Sequence, residues 1–189
     1  MSEAARSGGE ATAQPTLVSG DVTLRPWRLG DESTIGLSRD SPVLSRMQEA
    51  IRRWHQGYAD ARSIVSYLVV RTSDPVPLGT CQVRDSGDDV GEVTWTTYAP
   101  YRRKGYATDA LLTLCRYAFD ELGMVRLETY LAVDDRPSQR VAARSGFVRE
   151  GLLRGKRSDG DRRRDLLLYA RLVSDPVPVL RLPTRRRAR

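Results

Sequence analysis

Arg102, Arg103 and Lys104 set three cations in a row before Gly105, Tyr106, Ala107 and Thr108, and a run with helical periodicity follows at once. A strand that runs into a glycine-containing loop and then a helix leaves backbone N–H groups without acceptors. The positive end of the helix dipole adds to their pull on an anion. Gly105 lets backbone approach a phosphate closely, and Ala107 keeps the helix start uncluttered. The pattern is neither of the commonest nucleotide loops, GxxxxGK followed by Ser or Thr, or GxGxxG. By itself it is a weak pattern that could bind nucleic acid, cradle a phosphate or turn a corner, and the plain basic loop before a core helix is then the better reading.

Other reactive side chains are few. Cys81 and Cys115 stand far apart in unrelated contexts, which argues against a disulfide framework or a zinc site and suits a reducing cytoplasm. No metal is expected. His55, the single histidine, lies in RRWHQGY without companions for a Ser-His-Asp triad, and reads as a surface or groove residue. Cys115 falls on the stripe of the helix after the loop and reads as a small core residue.

The elements that must position the loop follow from periodicity. Val22 to Trp27 alternates as a half-buried strand, and Leu29 to Glu32 turns into a helix with Asp31 as its cap. Residues 40–61 are polar and irregularly periodic, and are expected to hold one or two short helices. Ser63–Val70 and Leu78–Val83 read as strands, Asp85–Asp89 as a hairpin turn, and Val90–Thr97 as a third strand. Gly105 to Leu122 reads as a helix on Leu111, Leu114, Cys115, Ala118 and Leu122, stopped by Gly123. Val125–Val133 is a strand and Ser138–Ser145 a short helix ending at Gly146. Arg157–Asp161 turns into a last strand within DLLLYARL. The strand-helix-strand unit needs a parallel crossover. The expected class is therefore α+β, a mixed and mostly antiparallel sheet with helices on both faces.

The 189 residues, 40% hydrophobic and 29% charged, suit one folded domain. No apolar run approaches the roughly 20 residues of a membrane helix, so no membrane partner is expected. The expected division is a disordered leader over 1–20, the folded domain over 21–173 and a Pro/Arg-rich tail over 174–189. The last nine residues, RLPTRRRAR, hold five arginines, and without them the formal charge falls from +7 to +2. Such a tail is a possible nucleic-acid contact but more often a solvated basic end.

Taken together, the segment from Glu92 to Arg154 resembles the GNAT superfamily of acetyl-CoA-dependent N-acetyltransferases, in particular the Rim-like branch that acetylates the N-termini of ribosomal proteins. EVTW matches the family's strand, RRKGYAT its loop, and YAFDELG the end of its helix. Asp135-x-x-Ser138 and the Gly146-Phe147, Glu150-Gly151 and Arg154 pattern follow, with RRDLLLYARL as the closing strand. The resemblance implies a fold with splayed central strands, acetyl-CoA as co-substrate, and a cytoplasmic transferase.

Residue by residue, it implies that Arg102, Arg103, Lys104, Gly105, Tyr106, Ala107 and Thr108 hold the CoA pyrophosphate, and that Thr96, Thr97 and Tyr98 border the acyl end. Asp135 and Ser138 are further cofactor contacts, although the family usually has asparagine at the position of Asp135. Arg103 replaces the loop's first glycine and is expected to impose ordinary backbone angles. Ala142 stands where many members carry a tyrosine acid. An amine must be neutral to attack a thioester, so a base is needed. Glu92 is the expected base, or else a structural carboxylate paired with an arginine, and Glu128 is the second candidate. Ser138 either protonates the leaving thiolate, hydrogen-bonds CoA or caps its helix.

The function implied is acetyl transfer to a primary amine, first a protein N-terminal α-amine. The alternatives are a small amine such as an aminoglycoside or polyamine, or a non-catalytic module that binds CoA or nucleic acid. The chain reads as a monomer or a homodimer.

Overall fold

The computed structural model describes residues 13–34 and 42–178. Among these residues eight strands form one sheet: β1 (Leu17–Ser19), β2 (Val22–Pro26), β3 (Ile64–Arg71), β4 (Pro77–Asp85), β5 (Val90–Thr97), β6 (Arg126–Ala132), β7 (Val148–Asp159) and β8 (Arg162–Leu172). Their spatial order is β1-β2-β3-β4-β5-β6-β8-β7. All neighbours are antiparallel except β5 and β6, which are parallel. The helices are α1 (Asp31–Thr34), α2 (Pro42–Ala61), α3 (Tyr106–Asp120) and α4 (Arg136–Arg144), with a 3-10 turn at Ala99–Tyr101. This is the α+β class expected, with α3 and α4 on one face and α2 on the other.

The stripe of α3 forms the main core. Leu111, Leu114, Cys115 and Ala118 are fully buried with Val65, Tyr67 and Val69 of β3, Cys81 and Val83 of β4, and Val93 of β5. On the opposite face Ile51 of α2 packs with Trp27, Leu68 and Val70, flanked by Met47 and Trp54. Burial on both faces explains why β3, apart from Ser66, reads as one apolar run.

Three expectations change here. Residues 42–61 form one helix of 20 residues rather than one or two short ones. Met47, Ile51, Trp54 and Tyr58 recur at spacings of four, three and four, but Arg52, Arg53, His55 and Gln56 dilute the stripe. The leader expected over 1–20 ends sooner, because Leu17–Ser19 pairs with Val22–Leu24 and Leu17 packs on the core. Residues 1–12 of that leader and the RLPTRRRAR tail lie outside the described residues. Asp31 acts as more than a helix start. Its carboxylate accepts two bonds from Arg25, at 2.6 and 2.7 Å, and one from the Arg28 N–H.

His55 ties α2 to the sheet. Its Nε2 stands 2.7 Å from the Trp27 carbonyl oxygen, which can only accept, so that nitrogen donates. Trp54 lies against Trp27, ring centroids 5.6 Å apart.

The feature that makes room for a site is the parting of β5 from β6. They pair only over Val90–Glu92 and Arg126–Glu128, while β5 continues on β4 to Thr97 and β6 continues on β8 to Ala132. At the far end of β5 the backbone runs hard against β4. A Cβ on Gly79 would stand 2.0 Å from the Thr96 carbonyl oxygen, so only glycine allows this approach.

Candidate functional site

At the mouth of the wedge between β5 and β6 opens a cleft of about 1130 Å³. One wall is the end of β5, with Trp95, Thr96 and Thr97. The floor is the loop Arg102–Gly105 and the first turn of α3, through Thr108. The other wall is α4, with Asp135, Ser138, Arg140 and Arg144.

The floor is an array of donors. Among the described residues, the N–H groups of Arg103, Lys104, Gly105, Tyr106 and Ala107 have no acceptor, whereas those of Thr108 and Asp109 both donate to the Gly105 carbonyl. Gly105 stands at the N-cap with φ +94° and no side chain to occupy these donors. The helix dipole therefore points an uncapped positive end into the cleft. Arg103 adopts φ +62°, so the expectation of ordinary angles at the replaced glycine is corrected. The loop's shape demands a left-handed residue there, and this chain accepts about 1–2 kcal/mol of steric cost to place a guanidinium.

The β5 wall offers backbone groups. Val90 exchanges bonds with the β4 hairpin, through Ser86 N–H to its carbonyl and its own N–H to Gly87, and the Tyr98 N–H donates to Leu78 at the start of β4. Even-numbered residues of β5 thus turn toward β4. By alternation, Trp95 and Thr97 turn N–H and C=O into the wedge. Arg102 Nε donates to the Thr97 carbonyl at 3.1 Å, tying loop to strand.

On α4, Asp135 accepts from the Ser138 N–H at 3.1 Å and so caps the helix. Its charge is turned on the helix N-terminus. Ser138 lines the cleft, and its hydroxyl has no partner among the described residues. Arg140 and Arg144 bring a second pair of cations to face Arg102, Arg103 and Lys104. Neither arginine was expected from sequence. Their spacing of four on one helix face was the available signal, but only the packing of α4 beside α3 turns that face into the cleft.

Two expected site residues stand apart from the cleft. Tyr98 turns its ring to the other face, where its hydroxyl is buried without a partner among the described residues. Burial, with the Asp31 carboxylate adding, pushes its pKa up to about 12. Its backbone turns to β4, so neither part of Tyr98 meets the wedge. Glu92 lies deeper, at the last rung of β5–β6 pairing and on the face away from α3.

Around Glu92 is a charged cluster. Glu128 of β6 stands opposite it, and Arg84 Nη2 is 3.8 Å from its carboxylate. Glu128 is firmly engaged by Arg126 Nε at 2.7 Å and the Tyr130 hydroxyl at 2.6 Å. Burial alone would raise the Glu128 pKa, but Tyr130 and Arg126 outweigh it and hold the carboxyl below its usual range. Tyr130 is in turn pushed up to about 12, first by that carboxylate and then by burial. Arg126 also grips Glu150, whose carboxyl it holds low. Cys81 and Cys115 are buried, and burial raises both thiols far from the thiolate form. Neither is a nucleophile. Among the described residues no cluster of His, Cys, Asp and Glu is arranged to hold a metal, and no helix is long and apolar enough to cross a membrane.

Comparison with known proteins gives this geometry relatives. Residues 21–148 match the acetyltransferase (GNAT) domain family. The uncharacterised N-acetyltransferase YnaD of Bacillus subtilis is 30% identical over 89 residues, 47% of this chain and 52% of that protein. The chain spans about half the length of the curated relatives it matches. Among solved structures, Mycobacterium smegmatis RimJ in complex with CoA-disulfide superposes with a TM-score of 0.71 at 18% identity, covering 85% of this chain and 88% of RimJ. A chimera of the Vibrio cholerae spermidine N-acetyltransferase SpeG superposes with a TM-score of 0.67 at 18% identity, covering 81% and 96%.

Proposed function

The chain belongs to the acetyltransferase (GNAT) family, and on that footing we propose that it moves an acetyl group from acetyl-CoA to a primary amine by direct attack in a ternary complex. The observation that carries this reading is the run of five N–H groups, Arg103 to Ala107, without a partner among the described residues at the mouth of the β5–β6 wedge. An uncapped helix end ringed by cations fits a pyrophosphate. The wedge fits an extended amide-bearing arm, because the strand edge offers the Trp95 N–H and C=O and the Thr97 N–H as partners for the arm's own amides.

When bound, acetyl-CoA supplies a thioester carbonyl for attack by a neutral amine. The protein's part is positioning and proton transfer. The loop N–H groups hold the pyrophosphate, while Arg102, Arg103, Lys104, Arg140 and Arg144 balance phosphate charge. Trp95 and Thr97 align the arm along β5. Glu92, bound among the described residues only by the long contact to Arg84, takes the proton from the acceptor ammonium. The Ser138 hydroxyl is the donor on the α4 wall for the departing sulfur. Glu128 positions Tyr130 and Arg126.

The acceptor favoured is a protein α-amine. Its pKa of about 7.7–8.0 leaves a sizeable neutral fraction at neutral pH, which a single carboxylate base can exploit. The two buried free cysteines suit a reducing, cytoplasmic setting.

Isothermal titration of acetyl-CoA and desulfo-CoA tests the cofactor site, with Gly105→Asp and Gly105→Ala as controls. Micromolar binding is expected, abolished by the carboxylate and only weakened by the methyl group. A wild-type protein that binds neither ligand overturns the reading.

A further inference from the structure

β7 and β8 outrun the sheet. The last rung of β6 on β8 is Ala132 with Leu166, yet β7 and β8 stay paired out to Asp159 and Arg162. Residues 154–165 therefore project as a two-stranded ribbon, and 156–165 are all exposed. The ribbon carries six cations against three carboxylates. It contributes nothing to the cleft wall.

A bulge aims the ribbon. β7 gains extra residues between Leu153 and Arg157. Arg163 donates to the carbonyls of Gly155 and Lys156, and the Gly155 N–H donates to Asp165. Bulges bend and twist a strand, and this one is pinned from both sides. The result brings Lys156 Nζ to 5.5 Å from the centre of the Tyr130 ring. Tyr130 bonds Glu128, which stands opposite Glu92, so the ribbon curls onto the face of the wedge that carries the carboxylates.

Arg164 is paired with Asp159, and Arg163 is spent on the bulge. Arg154, Lys156, Arg157 and Arg162 have no carboxylate partner among the described residues. The acceptor approach thus holds the loosely engaged Glu92 at its depth, where the amine must arrive, and unpaired cations along its rim. We infer that the acceptor is a peptide amino terminus followed by acidic residues, with its α-amine at Glu92 and its carboxylates on Lys156, Arg157 and Arg162, which the strand register sets on the face of Tyr130. The inference rests on the acetyl-transfer reading above. The six-residue arm of the ribbon is about 20 Å long, the length of a similar stretch of extended peptide and more than one small amine can span. A polyamine meets the same rim as like charge, which costs affinity.

The test uses the full chain with acetyl-CoA and four acceptors: peptides Ser-Glu-Asp-Glu-Ala-Ala, Ser-Ala-Gln-Ala-Ala-Ala and Ser-Lys-Arg-Lys-Ala-Ala, and spermidine. Acetyl-CoA affinity is measured separately. The acidic peptide is expected to lead the neutral one by about tenfold in kcat/KM, mainly through KM, with the margin shrinking at 0.5 M salt. Lys156→Glu with Arg157→Glu should abolish that margin and leave acetyl-CoA affinity unchanged. A preference for the basic peptide or spermidine, no dependence on charge, or transfer to no peptide by a protein that binds acetyl-CoA overturns the inference alone. Failure to bind acetyl-CoA overturns the underlying reading instead.

Discussion

Glu92 of β5 faces Glu128 of β6 across the last rung before the two strands part. The two carboxylates are unequally engaged. Glu128 takes short bonds from Arg126 and Tyr130, whereas among the described residues Glu92 has only the 3.8 Å contact to Arg84. A carboxylate whose oxygens are taken by two short donors is a poor proton acceptor, whereas the one beside it keeps oxygens open to an incoming amine. Glu92→Gln is expected to lower kcat by about a hundredfold with acetyl-CoA affinity unchanged. Glu128→Gln should lower kcat far less. Steady-state kinetics and titration of acetyl-CoA on both variants check the assignment, which fails if Glu92→Gln retains full kcat.

Arg103 pays in backbone strain for the charge it brings. Arg103→Gly is expected to stabilise the fold by about 1 kcal/mol while weakening acetyl-CoA binding about threefold. Arg103→Lys keeps both the strain and the charge and should leave both quantities near wild type. Thermal melts and titration separate the two effects.

Gly79 is where β4 admits the end of β5. Gly79→Ala forces its methyl group into the Thr96 carbonyl, which is backbone and has no rotamer to yield. A cost of about 3 kcal/mol is expected, together with loss of acetyl-CoA binding as Thr96 and Thr97 shift. Retained binding at wild-type stability would show that the end of β5 is free to move.

Asp31 is buried and paired with the half-buried Arg25, and its carboxyl is held low: burial works against this, but Arg25 and the Arg28 N–H outweigh it. Its stabilisation is full above the unfolded carboxyl pKa of about 3.9 and is lost as pH falls through the lower folded value. Asp31→Asn is expected to cost about 3 kcal/mol at pH 7, and the gap from wild type should narrow below about pH 4. Urea melts at pH 7 and pH 3 measure both points.

Arg140 and Arg144 face the loop cations across the cleft. Replacing both with alanine should weaken acetyl-CoA binding by about tenfold at low salt and by less at high salt, with kcat nearly unchanged. An unchanged affinity at low salt would remove α4 from the phosphate end.

The chain's local chemistry was legible throughout its second half. RRKGYAT before the stripe Leu111, Leu114, Cys115 and Ala118 announced a loop and a helix start, and Gly123 and Gly146 marked the ends of α3 and α4, because turn residues and the 3.6-residue period act over a few positions. The parallel crossover followed from the order of elements. Legibility failed where burial was thin or contacts were distant. The stripe of α2 was hidden among charges, and β1 was too short to carry a period. Tertiary structure alone decided that β5 and β6 part after Glu92, that Tyr98 turns away from the wedge while Trp95 lines it, and that α4 turns Arg140 and Arg144 toward Lys104. It also decided that a pinned bulge lays Lys156 on Tyr130. Each of these depends on which strand edges and helix faces meet across tens of residues, and no short stretch of sequence contains the packing that settles such a meeting.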